Sequence, residues 1–241
     1  MTEKPTTPQT EDQQDLNRAV RKRFTQVIIL FLFQAVILFA SSGQLDWVNA
    51  WVLLGINLVI FAINGYFMLR YSPDTAAERA ESRDMEDWDK VLGGLAYLMY
   101  AVGILLVSGL DQRFGWTGDL SLGIRVLGAV LYILGQLLFS WSMISNAFFS
   151  ARVRIQDDRD HVVVTTGPYA FVRHPGYVGM IIQSFAISLL LESLWALIPG
   201  VIAVCSVVAR TAFEDKMLQD ELPGYAEYAD KVKYRLVPGI W

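Results

Sequence analysis

Four apolar runs, each long enough to cross a bilayer, and a fifth of nearly double length leave this chain few folds to choose from. The first, Phe24 to Ala40 (FTQVIILFLFQAVILFA), has no charge in 17 residues. At about 1.5 Å per residue it makes about 26 Å of helix, close to the thickness of the hydrocarbon layer once flanking residues are added. The second runs from Trp47 to Leu69, with Trp47 and Trp51 at one end and Tyr66 and Tyr71 near the other, the pattern of an interfacial aromatic belt. The third covers about Val91 to Leu110 and the fourth about Leu120 to Ser145. Apolar residues make up 54% of the chain and charged ones only 18%. This balance excludes a disordered chain and argues against a soluble globular enzyme.

The last apolar stretch, Tyr177 to Ala209, is too long for one crossing, about 50 Å if continuous. Glu192 and Ser193 interrupt it near the middle. The expected arrangement is a tight helical hairpin over 177–209, with Tyr177 to Leu191 running out and Leu194 to Ala209 running back. Glu192 is expected as the polar turn, and Pro199-Gly200 as a kink in the second arm. The fold class read from these runs is an all-α integral membrane protein with about six membrane segments, four spans plus the C-terminal hairpin. The organisation expected is a disordered cytoplasmic tail over 1–20, a four-span region over 21–145 and a polar-plus-hairpin region over 146–241.

Positive charge is distributed very unevenly. With both termini cytoplasmic, the inside segments hold Lys4, Arg18, Arg21, Lys22 and Arg23, then Arg70, Arg79, Arg83 and Lys90. They also hold Arg152, Arg154, Arg159 and Arg173, then Arg210, Lys216, Lys231, Lys233 and Arg235, so that 18 of the 20 Lys and Arg residues share one side. Only Arg113 and Arg125 fall on the other. The positive-inside rule therefore predicts cytoplasmic termini and an even number of crossings. The first 17 residues are polar and do not make a secretory signal. A net charge of −4 argues against a nucleic-acid partner. The single cysteine, Cys205, permits no disulfide framework, and two histidines, His161 and His174, supply no metal-ligand spacing.

The hairpin brings two polar segments together at one membrane face, Asn146–Pro175 and Arg210–Trp241. A strand-like run, HVVVTTG (His161 to Gly167), leads into PYAFVRHPGYVG. On the return side a polar helix is expected over 211–221, broken at Pro223-Gly224 and resumed over 225–233. Taken singly, each polar residue has an ordinary reading. His174 caps a helix whose first turn holds Pro175. Arg173 anchors to lipid phosphate. Tyr169 and Tyr177 sit in the aromatic belt. Arg210 and Glu214, four apart, make a helix-face ion pair, with Asp215 a solvated neighbour. Together they place two histidines, two tyrosines, an arginine and an acid at one hairpin mouth. Ionisable clusters at the edge of a bilayer point to function.

The string TTGPYAFVRHPGYVG, followed after about 30 apolar residues by RTAFED and then by GYAEYADKVKYRLVPGIW, resembles the isoprenylcysteine carboxyl methyltransferase family, within a wider group that includes the phospholipid methyltransferases. The resemblance covers Gln156 to Trp241, and the closing segment looks more like the bacterial members. It implies a membrane methyltransferase that uses S-adenosylmethionine. By the family's motif, His161, Val162, Val163 and Val164 would line the cofactor, partly through backbone groups, and Tyr169 would pack against it. His174, Pro175, Gly176 and Tyr177 would form the core of the pocket, and Glu214 would hold a polar group of the cofactor from the opposite wall. Arg210 matches a family arginine on the substrate side, where it would orient the acceptor. A family glutamine falls at Gln156 or, gapped differently, at Arg154. Glu214-Asp215 stands where the family often has two adjacent acids.

What the resemblance implies suits the expected site. A water-soluble cofactor would enter from the cytoplasm and a lipophilic or lipidated acceptor from the bilayer. The acceptor is open between a prenylated cysteine carboxylate, a phospholipid amine, a small thiol and a lipophilic metabolite, and the oligomeric state is not read from the sequence. Two other readings stand beside this one. A membrane reductase of the sterol reductase type would bind NADPH, its phosphate drawn to basic residues such as Arg173 and Arg210. A permease or scaffold would use the polar cluster only for structure.

Overall fold

In the computed structural model, residues 8–71 and 86–241 are described. Helix α1 spans Pro8–Ser42 and α2 Val48–Tyr71. Helix α3 spans Asp87–Phe114 and contains a wider π-helical turn at Met99–Gly103. Helix α4 is Leu122–Ser145, α5 Pro175–Leu190, α6 Leu197–Glu221 and α7 Tyr225–Lys231. Five helices are long and apolar enough to cross a membrane, and α5 is a shorter apolar sixth. The all-α membrane class is borne out.

Helix α1 starts at Pro8, inside the stretch expected as a disordered tail. The sequence from Gln9 to Arg23 has three Gln and three Arg, good helix formers, and no Gly or Pro. It continues a long apolar helix, so no new nucleation cost arises. Residues 1–7 lie outside the described residues.

The hairpin breaks at Glu192, as its polarity predicts. Glu192 adopts φ +57°, a left-handed turn conformation. Pro199 falls in the first turn of α6 and makes no kink, because the N–H it lacks is one that a first turn leaves unbonded anyway. From there α6 continues unbroken through the polar residues to Glu221. Leu222 ends it, and Gly224 at φ +84° starts α7.

Helices α4 and α5 make the closest crossing. A Cβ added at Gly179 would lie 2.7 Å from the carbonyl oxygen of Gly135, and one added at Gly135 would lie 2.9 Å from that of Gly179. Facing small residues let two backbones touch, which in lipid takes the place of hydrophobic association. The buried core joins Leu38, Leu53, Ile104, Tyr132, Ile187 and Leu191 from five helices. Outward-facing Ile28, Ile29, Leu32 and Val36 on α1 remain exposed, as a lipid-facing surface requires.

Candidate functional site

A cavity of about 110 Å³ opens where α5 begins, between the 146–169 segment and the polar half of α6. His161, Val162, Val163, Val164, Tyr169, His174, Gly176, Tyr177, Gln156 and Glu214 line it. Of the residues expected there, Pro175 and Arg210 lie outside the lining. Pro175 is the first residue of α5, as expected, and fixes its start.

The segment from His161 to Thr166 has no regular secondary structure, Gly167 at φ +62° opens a short 3-10 turn, and no strand forms among the described residues. A β-strand needs a neighbour for its N–H and C=O groups, and this segment passes over the cavity with none beside it. Its position is fixed by side chains. The fully buried Gln156 donates from Nε2 to the Phe148 carbonyl at 2.7 Å and accepts from Arg159 at 2.7 Å. The His161 ring lies 4.5 Å from the Phe148 ring, centroid to centroid, and the Gln156 N–H points to its Nδ1 at 3.4 Å. Burial lowers the imidazole's proton affinity, and Arg154 and Arg159 lower it further.

Asp215 is the centre of the wall behind the cavity. It was expected as a solvated neighbour, yet its side chain is 0% exposed. Arg173 grips both its oxygens, Nε to Oδ1 at 2.6 Å and Nη2 to Oδ2 at 3.0 Å. His174 Nε2 lies 3.2 Å from Oδ1, and the Tyr225 hydroxyl donates to the same oxygen at 3.1 Å. Gln219 at 2.8 Å and Arg235 at 2.7 Å reach Oδ2. Arg173 is therefore no lipid anchor, and the His174 side chain makes no capping bond. Both turn inward because a buried carboxylate needs compensating donors. The 232–236 stretch lies alongside as a strap: the N–H groups of Arg173 and His174 donate to the carbonyls of Tyr234 and Arg235, each at 2.9 Å.

A second buried acid was not singled out from sequence at all. Asp89, in the first turn of α3, is 0% exposed and accepts from Arg210 Nε at 2.6 Å and Nη2 at 3.1 Å. It also accepts from the Val153 N–H at 2.8 Å. Arg210 donates in addition to the Ala151 carbonyl at 3.0 Å, and its guanidinium carbon lies 5.4 Å from the centre of the Tyr177 ring. The helix-face pair with Glu214 does not form. Glu214 instead accepts from the Tyr177 hydroxyl and makes no ion pair with any described residue. Tyr177 stacks on His174, ring centres 5.7 Å apart and planes 5° apart.

Sequence reasoning also missed the aromatic and apolar rest of the lining, among it Phe149, Met217, Leu222, Tyr225 and Tyr228. Only the Tyr225 and Tyr228 spacing, three apart on one short helix, offered a signal. Arg173 and Arg210, counted toward a phosphate-bearing cofactor, are both held by buried aspartates, which weighs against the reductase reading.

Fold and site together define a multi-pass integral membrane protein with a polar, aromatic-walled cavity at one end of a helical hairpin. Residues 127–220 match the model of the isoprenylcysteine carboxyl methyltransferase family, so the expected resemblance is borne out over that region. It is 34% identical over 110 residues to the protein-S-isoprenylcysteine O-methyltransferase of Saccharomyces cerevisiae, covering 44% of this chain and 46% of that protein. It is 28% identical over 141 residues to protein-S-isoprenylcysteine O-methyltransferase B of Arabidopsis thaliana, covering 57% and 68%. The chain thus spans about half the length of the yeast relative. The fold is similar to that of the eukaryotic intramembrane Ras methyltransferase ICMT, with a TM-score of 0.51 at 18% identity, over 98% of this chain and 88% of that one.

Proposed function

We propose that this protein transfers a methyl group from S-adenosylmethionine to a lipophilic acceptor, with the carboxylate of a prenylated cysteine as the leading candidate. The observation that carries this reading is the lining of the cavity. His161 to Val164, Tyr169, His174, Gly176 and Tyr177 face it from one side and Glu214, an acid with no ion pair, from the other. A zwitterionic sulfonium suits a wall of aromatic rings with one carboxylate that makes no direct ion pair. The names of the relatives support the same chemistry.

When bound, S-adenosylmethionine would supply the electrophilic methyl. The chain's own residues would bind and orient. Glu214 would hold a positively charged group, Tyr169 and Tyr177 would pack against the flat parts of the ligand, and His174 would set the position of Tyr177 by stacking. Arg210 would stand on the acceptor side, and its Nη1 has no hydrogen-bond partner among the described residues. A carboxylate acceptor would need no base, and walls that exclude water would favour a transfer in which charge is neutralised. The charge asymmetry supports cytoplasmic termini and a cytoplasmic cavity.

The test is binding of S-adenosylhomocysteine to the detergent-purified protein, with NADPH as comparison, followed by methylation of N-acetyl-S-farnesylcysteine. Saturable binding without NADPH competition supports the reading. Folded protein that binds neither nucleotide rejects it. A carboxylate acceptor gives no rise in rate through the pH range where an amine would lose its proton.

A further inference from the structure

Arg210 and Glu214 occupy neighbouring positions on one face of α6, where opposite charges four residues apart ordinarily pair. Here they do not. Arg210 turns both Nε and Nη2 to Asp89, 121 residues away in sequence, and Glu214 is left with a tyrosine hydroxyl. Asp89 reaches this position because it lies in the first turn of α3, beside α6. Two guanidinium donors and one backbone N–H occupy the Asp89 carboxylate. Gly93 leaves it room, since a Cβ there would lie 3.1 Å from Asp89 Oδ1 and 3.5 Å from the Arg210 guanidinium carbon.

We propose that Asp89 is a positioning residue that holds the Arg210 guanidinium so that it makes no direct bond to Glu214, and Glu214 stays available at the cavity wall for a positively charged group of the ligand. Asp89 itself does not line the cavity. It acts through Arg210. Without its charge, the Arg210 guanidinium is buried with no counter-ion, and the nearest acid on its own helix is Glu214. Pairing with Arg210 draws that carboxylate off Tyr177 and neutralises it. The inference rests on the proposed nucleotide ligand only for the binding arm of its test.

The experiment is a double-mutant cycle between Asp89→Asn and Glu214→Gln, read in two ways on detergent-purified protein. The first is S-adenosylhomocysteine affinity. Each single variant weakens it about tenfold, the equivalent of one charge-assisted hydrogen bond, and the double variant is no weaker than either. Additive losses overturn the proposal. The second is the melting temperature without ligand. Glu214→Gln has a small effect in the wild type and a larger one in the Asp89→Asn background, where Glu214 has become the partner of Arg210. Equal effects in both backgrounds overturn the proposal even if no nucleotide binds. Failure of the wild type to bind S-adenosylhomocysteine, with the melting cycle coupled, removes the methyltransferase reading and leaves the placement of Arg210 standing. Should Asp89→Asn not accumulate as folded protein, Asp89→Glu, which keeps the charge, serves in both arms: with its counter-ion kept, Glu214→Gln has its wild-type effect, and a coupled cycle in that background overturns the proposal.

Discussion

The two ends of the hairpin both contain a buried acid, and they use it differently. At the turn, Asp111 accepts from the Thr117 N–H at 2.8 Å, the Thr117 hydroxyl at 2.5 Å and the Ser193 hydroxyl at 2.6 Å. All are neutral donors within two connecting loops. Glu192 beside it takes the Asn49 amide at 2.5 Å and lies 3.4 Å from Arg125. At the mouth, Asp215 gathers two arginines, a histidine, a tyrosine and a glutamine from four separate parts of the chain. The turn is a staple between loops. The mouth is a hub in which two arginines share one buried carboxylate, and it borders a cavity. The difference teaches where function resides: a buried acid marks both polar ends, but only the one rich in Lys and Arg surrounds it with charged partners.

The comparison breaks first at Asp215. Asp215→Ala leaves Arg173, already buried, without its counter-charge, and is expected to cost about 3–5 kcal/mol. Loss of the melting transition or of monodisperse protein in detergent checks this, and retention of wild-type stability would remove the hub. His174→Ala touches Asp215 by one bond but Tyr177 by a whole ring face. It is expected to lower S-adenosylhomocysteine affinity by tenfold or more, with a stability loss of about 1–2 kcal/mol; calorimetry and melting on the same preparation separate the two. Asp111→Asn, at the other end, keeps an acceptor for its hydroxyl donors. A stability loss of about 1 kcal/mol with unchanged nucleotide affinity is expected. An affinity change there would mean that the two ends communicate.

The smallest effect concerns His161. Its folded proton affinity is depressed by burial first and by Arg154 and Arg159 next. The unfolded chain therefore takes up this proton more readily than the folded one. Its contribution is fully present above the ordinary imidazole range of about 6.5 and declines as pH falls below it. Melting temperature should drop between about pH 7 and pH 5, and less so in His161→Gln. An identical slope in both proteins would detach His161 from the cavity's pH response.

Much of this was legible in the sequence, because a bilayer turns hydropathy into structure. The spans, the break at Glu192 and the restart of helix after Pro223-Gly224 all follow from local residue types. The motif from His161 to Tyr177 also lies mostly along the cavity, since the residues are consecutive. What stayed hidden depends on partners distant in sequence. Nothing near Asp89 announces Arg210, and nothing near Asp215 announces Arg173 or Arg235. A buried acid and a solvated one look the same as letters, and the single-residue readings for Arg173, His174 and Asp215 erred for that reason. The strand-like His161–Gly167 run shows the reverse case: β-branched residues favour extension, but a sheet requires a second strand.

The strap over Arg173 and His174 has a consequence for how the site comes into being. Its carbonyls and the Arg235 side chain belong to residues some sixty positions downstream of the motif they complete. As the chain leaves the ribosome, Arg173 and α5 are made well before their covering segment exists. Until then Arg173 lacks Asp215 and the strap carbonyls, which are its partners in the finished wall. The wall of the cavity therefore needs α6 and the strap as well as the motif, an order set by the chain itself.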